Sequence, residues 1–79
     1  MSSKEKLLEK FLERPGSLRF VEIEKILFWF GFVKVSVKGS HHKFKREICN
    51  INISIPVHNN DCRNFYKEKV RKIIIKNLL

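Results

Sequence analysis

Apolar residues recur at helical spacing in three segments of the chain. The first segment carries one such stripe, consisting of Leu7, Leu8, Phe11 and Leu12. Ser2 and Glu5 form a capping-box pattern before this stripe, and Pro15-Gly16 predicts the end of the helix. A second helix is predicted over residues 20–30, with Gly31 as the residue that ends it.

The second helix is apolar on two sides. Its main stripe consists of Phe20, Ile23, Ile26, Leu27 and Phe30. Val21, Phe28 and Trp29 lie outside this stripe, so the helix needs a second neighbour. The first helix has a matching apolar stripe, and we expect it to cover these three side chains.

The last segment predicts a third helix, which begins near Asn64 or Phe65 and continues to the C-terminus. Its shared face consists of Tyr66, Val70, Ile73, Ile74 and Asn77. The basic side chains of this helix, Lys67 among them, are expected to point away from that face.

Between the second and third helices, apolar and polar residues alternate with a period of two in three short runs. The runs are VKVSVK at 33–38, HHKFKR at 41–46 and INISI at 51–55. Gly39-Ser40 predicts a turn after the first run, residues 47–50 a turn after the second, and Pro56 the end of the third. This pattern predicts an antiparallel meander of three strands. The element order α-α-β-β-β-α then predicts an α+β sandwich, with the helices on one face of the sheet.

Alternate side chains of a strand point to opposite faces of the sheet. The valines of the first run, Phe44 and the isoleucines of the third are therefore expected on the face that the helices cover. The same rule places His42 beside Phe44, partly buried and bonded to backbone. The opposite face is expected to display Lys34, Ser36, Lys38, His41, Lys43, Lys45, Asn52 and Ser54.

Charge is distributed unevenly along the 79 residues. The formal net charge is +9, and residues 31–79 hold eleven basic and three acidic side chains. Such an excess in a small domain indicates a surface that meets an anion, with nucleic acid as the leading candidate and a merely solvated surface as the alternative. The longest apolar run, residues 26–33, is too short to span a bilayer, so no membrane partner is expected. Cys49 and Cys62 fit free thiols in a reducing cytoplasm.

A histidine among lysines is suited to RNA chemistry. An RNA 2′-hydroxyl can attack the adjacent phosphodiester if a base takes its proton and an acid protonates the leaving 5′-oxygen. Histidine titrates near neutral pH and can serve either role, while lysines stabilise the negative charge that develops. Only Glu47, Asp61 and Glu68 carry carboxylates after residue 30, which argues against metal-dependent nuclease chemistry. We therefore predict no metal and no other cofactor.

The segments SLRFVEIEKILFWFGF, VKGSHHKFKR and ISIPVH, followed by an amphipathic helix, resemble the HicA family of toxin ribonucleases. The resemblance covers residues 17–79 and leaves residues 1–16 as an N-terminal helical extension. It implies a double-stranded-RNA-binding-like fold, an mRNA interferase activity in the cytoplasm and neutralisation by a HicB-type antitoxin protein. It also implies that the catalytic histidine lies in the Gly-Ser-His segment, where position alone allows His41 or His42. Strand parity favours His41.

The other predicted site residues surround this histidine. His58 matches the histidine after the family's proline and is the auxiliary catalytic candidate. The chain departs from the family at residues 46–48, where Arg-Glu-Ile replaces a His-Pro pair, and at residues 64–66, where Asn-Phe-Tyr replaces a Gly-Thr-Leu-like start. These departures bear on substrate preference more than on the fold. The predicted RNA-binding residues are Lys34, Lys38, Gly39, Ser40, Lys43 and Lys45.

Three functions are open from the sequence. The first is a metal-independent endoribonuclease that cuts mRNA, with His41 as the main acid/base. The second is an RNA-binding module of the same fold that does not cut. The third is an interaction protein whose basic face docks an acidic antitoxin, and it is compatible with the first. When free, the protein is expected to be a monomer or a weak dimer, with Phe28 and Trp29 at the dimer contact if the first helix leaves them uncovered.

Overall fold

Three helices and three strands follow one another in the predicted order. The computed structural model describes residues 3–79, so the predicted cap at Ser2 lies outside the described residues. The elements are α1 Ser3–Glu13, α2 Phe20–Trp29, β1 Val33–Lys38, β2 His41–Arg46, β3 Ile51–Pro56 and α3 Asn64–Leu78. Short 3-10 helices occupy Pro15–Ser17 and Glu47–Cys49. The strands form an antiparallel sheet in the order β1-β2-β3, which confirms the predicted α+β fold.

Side chains from distant parts of the sequence fix both ends of α2. At its start, the Asp61 carboxylate accepts a hydrogen bond from the Phe20 N–H at 2.9 Å. At its end, Gly31 adopts a φ of 90°, a left-handed conformation that favours glycine. The Nε–H of Arg46 donates to the Phe30 carbonyl at 2.6 Å. Because the exposed peptide groups at helix ends need partners, these bonds fasten α2 to the sheet and to the loop before α3.

The hydrophobic core lies between the helices and one face of the sheet. Every helix contributes to it, as do β2 and β3. Phe11 of α1 is fully buried, and the Arg71 guanidinium of α3 donates to the Leu12 carbonyl at 3.1 Å. The first helix is therefore packed into the same core as residues 17–79. The fully buried side chains include Phe11, Ile23, Ile26, Leu27, Phe44, Ile55, Val70 and Ile74.

We predicted that α1 covers three side chains of α2. Trp29 agrees with this prediction, whereas Val21 and Phe28 do not. Trp29 is half-buried against the core, and the Lys4 ammonium lies 5.3 Å from its ring. Val21 and Phe28, in contrast, remain 52% and 45% exposed. Phe28 instead packs towards the sheet, where its ring lies 6.1 Å from that of Phe44. The prediction is wrong for Val21 and Phe28, which the described residues leave about half-exposed.

Lys67 lies on the buried side of α3, so the prediction that it points away is wrong. Its side chain is almost fully buried and its ammonium lies 3.1 Å from a carboxylate oxygen of Asp61. Lysine is rarely buried without a charged partner. The loop between β3 and α3 supplies that partner, which explains why a charged residue occupies a core position.

One extra residue in β1 reverses the faces to which the side chains before it point. Lys34 pairs with Phe44, but Ser36 pairs with Lys43, so Val35 forms a β-bulge between the two pairs. Directly opposed residues of an antiparallel pair share a face. Lys34 therefore lies on the helix side. The expectation that all three valines of β1 face the helices is wrong: Val33 pairs with Lys45 on the outer face.

The valines of β1 are half-exposed because β1 is an edge strand. Val37 is opposite His42 on the helix side, yet its own side chain extends beyond the helices that cover the centre of the sheet. Among the described residues, no helix has both the length and the apolar character required to cross a bilayer.

Candidate active site

The first candidate histidine stands at the tip of the β1–β2 hairpin. Lys38 and His41 are the last pair of the ladder, and Gly39-Ser40 joins them. Gly39 has a φ of 58°, as the first central residue of a type II′ hairpin turn requires. The Ser40 carbonyl accepts a hydrogen bond from the Val57 N–H at 2.7 Å. The tip is thus fixed to the chain that leaves β3, and the exposed His41 side chain projects from a well-supported position.

Basic side chains continue from His41 along the outer face of β2. Lys43 and Lys45 follow at alternate positions, so they share a face with His41 as predicted. Lys43 lies between Ser36 of β1 and Ser54 of β3, while Lys45 lies beside Asn52. The outer face therefore combines ammonium groups with hydroxyl and amide groups. We call His41, Lys38, Lys43 and Lys45 the basic face.

Lys34 does not belong to the basic face. Its ammonium lies 5.7 Å from the centre of the Phe44 ring and 6.0 Å from that of Phe20. It also forms an ion pair with Glu24 of α2. The predicted placement on the outer face is wrong because the bulge at Val35 reverses the parity of the strand before it.

His42 lies on the helix side of the sheet, as its parity predicts. It is half-buried, and its ring meets that of Phe20 edge-on at 5.0 Å between ring centres. The expected bond to backbone is missing at Nδ1, which is buried and has no hydrogen-bond partner within residues 3–79. His42 is therefore a packing residue with one unsatisfied atom.

His58 lies beyond β3, where the chain reverses in a tight turn. The His58 N–H donates to the Asp61 carbonyl at 2.8 Å, and the Asp61 N–H donates back at 3.0 Å. Asn59 and Asn60 between them have φ values of 54° and 63°, which is the type I′ pattern. His58 is exposed and borders a groove that Pro56, Asp61, Cys62, Arg63 and Tyr66 also line.

Pro56 connects this groove to the basic face. It pairs with His41 across β2 and β3, and it also lines the groove that contains His58. Both histidines were predicted as site residues from the sequence, whereas Asp61, Arg63 and Tyr66 were not. The signal for their convergence is the Asn59-Asn60 pair, since asparagine readily adopts the positive φ values that such a turn needs.

Asp61 is the main electrostatic centre beside the groove. Desolvation by its surroundings opposes ionisation, but hydrogen bonds from the Cys62 N–H, from Lys67 and from the Phe20 N–H outweigh it and lower the pKa of Asp61. All three donors meet the same oxygen, Oδ1. Burial raises the pKa of the neighbouring Cys62 thiol, with Lys67 acting against the shift. Asp61 is therefore an anion at neutral pH, and Cys62 is a poor nucleophile.

The two cysteines are free thiols in separate surroundings. Cys49 is exposed and accepts a hydrogen bond from the Arg46 guanidinium at 3.3 Å, whereas Cys62 is half-buried beside the groove. Within residues 3–79, no three His, Cys, Asp or Glu side chains form a group that could hold a metal ion. The chemistry available on the basic face is thus that of an imidazole surrounded by ammonium groups.

Comparison with known proteins identifies one family. The family model that describes the HicA toxin of bacterial toxin–antitoxin systems matches residues 20–76, from the first residue of α2 into the last turn of α3. Searches of curated proteins and of solved structures found no significant match. The matched region contains the Gly39-Ser40-His41 tip and the whole sheet. The chain therefore belongs to the HicA toxin family of bacterial toxin–antitoxin systems.

Proposed function

We propose that this toxin is a metal-independent endoribonuclease that cleaves mRNA, with His41 as its main general acid/base. The observation that carries the proposal is the exposed imidazole of His41 at a braced hairpin tip, on the same face as Lys43 and Lys45 and paired with Lys38. A face that served only to grip phosphates would gain little from histidine, because an imidazole carries less positive charge than lysine at neutral pH.

The reaction uses the nucleophile that RNA itself provides. The 2′-hydroxyl loses its proton to a base and attacks the adjacent phosphorus, and the bond from phosphorus to the 5′-oxygen breaks. The departing oxygen takes a proton from an acid, which leaves a 2′,3′-cyclic phosphate and a 5′-hydroxyl end. Ammonium groups beside His41 stabilise the charge that builds on the non-bridging oxygens. DNA is not cleaved by this route because it lacks the 2′-hydroxyl.

His58 is the candidate for the second proton transfer. It lies two residues beyond Pro56, the direct neighbour of His41 across β2 and β3. Its imidazole is exposed, and its backbone is fixed by the paired hydrogen bonds to Asp61. Pro56 pairs with His41 and lines the same groove as His58, so both histidines lie near a phosphodiester bound at Pro56. This arrangement supports a shared role, in which one histidine removes a proton and the other supplies one.

The RNA backbone is held by the basic face and the hairpin tip. Lys38, Lys43 and Lys45 neutralise phosphates, while the turn at Gly39-Ser40 lets the backbone approach closely. Apart from its two neighbours in the chain, no described residue lies within 4 Å of a Cβ placed at Gly39, so the space beside the turn is open to a ligand. The cognate antitoxin, which we expect to be of HicB type, would neutralise the toxin by placing acidic side chains on this same face.

Single-turnover cleavage of a long RNA in EDTA tests the proposal. His41→Ala should lower the rate by at least about 100-fold, the contribution typical of one general acid/base, while circular dichroism shows an unchanged fold. His42→Ala is the matched control, since it removes the adjacent imidazole from the other side of the sheet. Lys43→Ala and Lys45→Ala should weaken binding more than they slow the chemical step.

The competing function is an RNA-binding module of the same fold. The lysines on the basic face favour an RNA-binding module as much as they favour the enzyme. Only a test for cleavage distinguishes the two functions. Full cleavage by folded His41→Ala together with loss in folded His42→Ala would reverse the assignment of the two histidines. An unmodified protein that binds RNA but leaves it intact would establish the binding module.

A further inference from the structure

The groove at the end of β3 has a lining that the proposed cleavage reaction does not use. Apart from His58, its charged groups are Asp61 and Arg63, its flat surfaces are Pro56 and Tyr66, and Cys62 completes the lining. It begins at Pro56, immediately beside His41. A chain of RNA that presents one phosphodiester to His41 would therefore place a neighbouring nucleotide over this groove.

One oxygen of the Asp61 carboxylate is available to accept a hydrogen bond from a ligand. Its Oδ1 accepts from the Phe20 N–H, the Cys62 N–H and the Lys67 ammonium, at 2.9, 2.8 and 3.1 Å. Within residues 3–79, no donor reaches Oδ2, and the side chain is 36% exposed. An ionised carboxylate only accepts hydrogen bonds. The group is thus held rigidly by one oxygen and presents an acceptor with the other.

Tyr66 and Arg63 supply the remaining contacts that a nucleotide needs. Tyr66 is half-buried against the core, and its ring is held edge-on against that of Phe65 at 5.1 Å. A fixed aromatic ring beside a proline is a surface on which a base can stack. Arg63 is exposed, and in the described part of the chain its guanidinium has no hydrogen-bond or ion-pair partner. It is available to a phosphate, which guanidinium groups bind well.

We propose that this groove binds one nucleotide of single-stranded RNA next to the cleaved bond, and that Asp61 selects a base with an exocyclic amino group. The inference rests on the proposed function, because it takes the RNA at His41 as given. The base stacks on Tyr66 and its amino group donates to Oδ2 of Asp61. Arg63 binds the adjacent phosphate.

Uracil is the base that this arrangement disfavours. Cytosine, adenine and guanine each present an amino group on the edge that pairs with other bases. Uracil instead presents a carbonyl oxygen at the position where cytosine carries its amino group. Two acceptors placed together repel each other and leave both unpaired, which costs more than the loss of one hydrogen bond. Cytosine and uracil have the same shape otherwise, so they form a matched pair of ligands.

Binding of short oligonucleotides to the His41→Ala protein tests the groove without cleavage. Oligo(C) should bind about tenfold more tightly than oligo(U) of equal length, the ratio typical of one charge-assisted hydrogen bond. Asp61→Asn places an amide that can donate to uracil, and should reduce or reverse this preference. Since Asp61 also supports the start of α2, circular dichroism must show that the variant is folded.

Four further variants keep the test independent of Asp61. Tyr66→Leu should weaken binding of both oligonucleotides about tenfold through loss of stacking, whereas Tyr66→Phe should bind normally. Arg63→Gln should weaken both oligonucleotides equally and reduce the salt dependence by about one phosphate contact. Arg14→Gln removes the same charge from an exposed site at the end of α1 and should have a smaller effect.

Equal affinity for oligo(C) and oligo(U) would overturn the selection by Asp61. Normal binding by Tyr66→Leu, or equal effects of Arg63→Gln and Arg14→Gln, would overturn the groove as a nucleotide site. Cleavage of long RNA by the unmodified protein is a separate measurement. If it fails while the oligonucleotide preference holds, the ribonuclease proposal is wrong and the groove stands as a binding site. If the protein cleaves RNA but shows no base preference, the selection by Asp61 is wrong and the ribonuclease proposal stands.

Discussion

Lys34 and Phe44 face each other across β1 and β2, with the lysine ammonium 5.7 Å from the centre of the phenyl ring. The ammonium is also paired with Glu24 of α2. This lysine therefore joins the helix layer to the sheet, while Lys43, only one strand away, points to the other side. The two residues carry the same charge and serve different surfaces.

Removing one charge at each position should separate these roles. Lys43→Gln should weaken RNA binding and reduce the slope of log affinity against log salt by about one contact. Lys34→Gln should leave the slope unchanged and lower the melting temperature slightly, because Glu24 loses its partner. Equal losses of RNA affinity in the two variants would mean that β1 lacks the bulge at Val35.

The unmodified protein should bind single-stranded RNA with a marked dependence on salt. Lys38, Lys43 and Lys45, together with Arg63, offer three to four phosphate contacts in our proposals. Counterion release then predicts a fall in affinity of about 20- to 50-fold between 50 and 200 mM salt. Titration of a DNA analogue of the same sequence measures this without cleavage. An affinity that hardly changes with salt would exclude a phosphate-dominated interface.

The unpaired Nδ1 of His42 leads us to a prediction about stability. His42→Phe keeps an aromatic ring against Phe20 and removes a buried polar atom, so the variant should be at least as stable as the unmodified protein. His42→Ala should lose about 1–2 kcal/mol of unfolding free energy through lost packing. Both should retain cleavage, and an inactive but folded His42→Phe would contradict the role given to His41.

Acid should destabilise the protein through Asp61. Its pKa in the folded state lies below the ordinary value of 3.8, so the folded state favours the ionised carboxylate. The resulting stabilisation is fully present above pH 3.8 and is lost as the pH falls through the folded-state pKa. Thermal unfolding between pH 6 and pH 2 measures the effect. The curve should be flatter for Asp61→Asn, and an equally steep curve would assign the acid sensitivity to other carboxylates.

The first helix should be needed for stability. Phe11→Ala opens a cavity among fully buried side chains and should cost about 3–5 kcal/mol. Glu9→Ala, at an exposed position of the same helix, should change stability by less than about 0.5 kcal/mol. Deletion of residues 1–16 should expose apolar surface and promote aggregation. A deletion variant with the original melting temperature would show that α1 is an appendage.

The repeating patterns made most of the fold predictable from the sequence. Gly31 and the apolar stripe before it located α2 to within a residue at its C-terminal end, and period-two alternation located all three strands. The bulge was not predictable, since VKVSVK alternates without interruption. Its register depends on which residue of β2 meets Lys34, a contact between strands that no local pattern contains.

The candidate site was predictable where it follows a regular strand and not where it depends on a loop. Parity along β2 placed His41 beside Lys43 and His42 beside Phe44. The groove was not predictable because it depends on the turn after His58, which brings Asp61 to the buried ammonium of Lys67. Helical periodicity predicted Lys67 at the surface because lysine is polar. The periodicity carries no information about Asp61, the partner that allows this lysine to be buried.

The bulge at Val35 also affects the exposed edge of the sheet. β1 is an outer strand with unpaired peptide groups on one side and three half-exposed valines, which are features that invite a second molecule to add its own strand. A bulge breaks the regular spacing that such pairing requires, and the exposed Lys38 adds a charge to the same edge. The irregularity that diverts one lysine from the basic face therefore also makes the edge of the sheet a poorer template for a second strand.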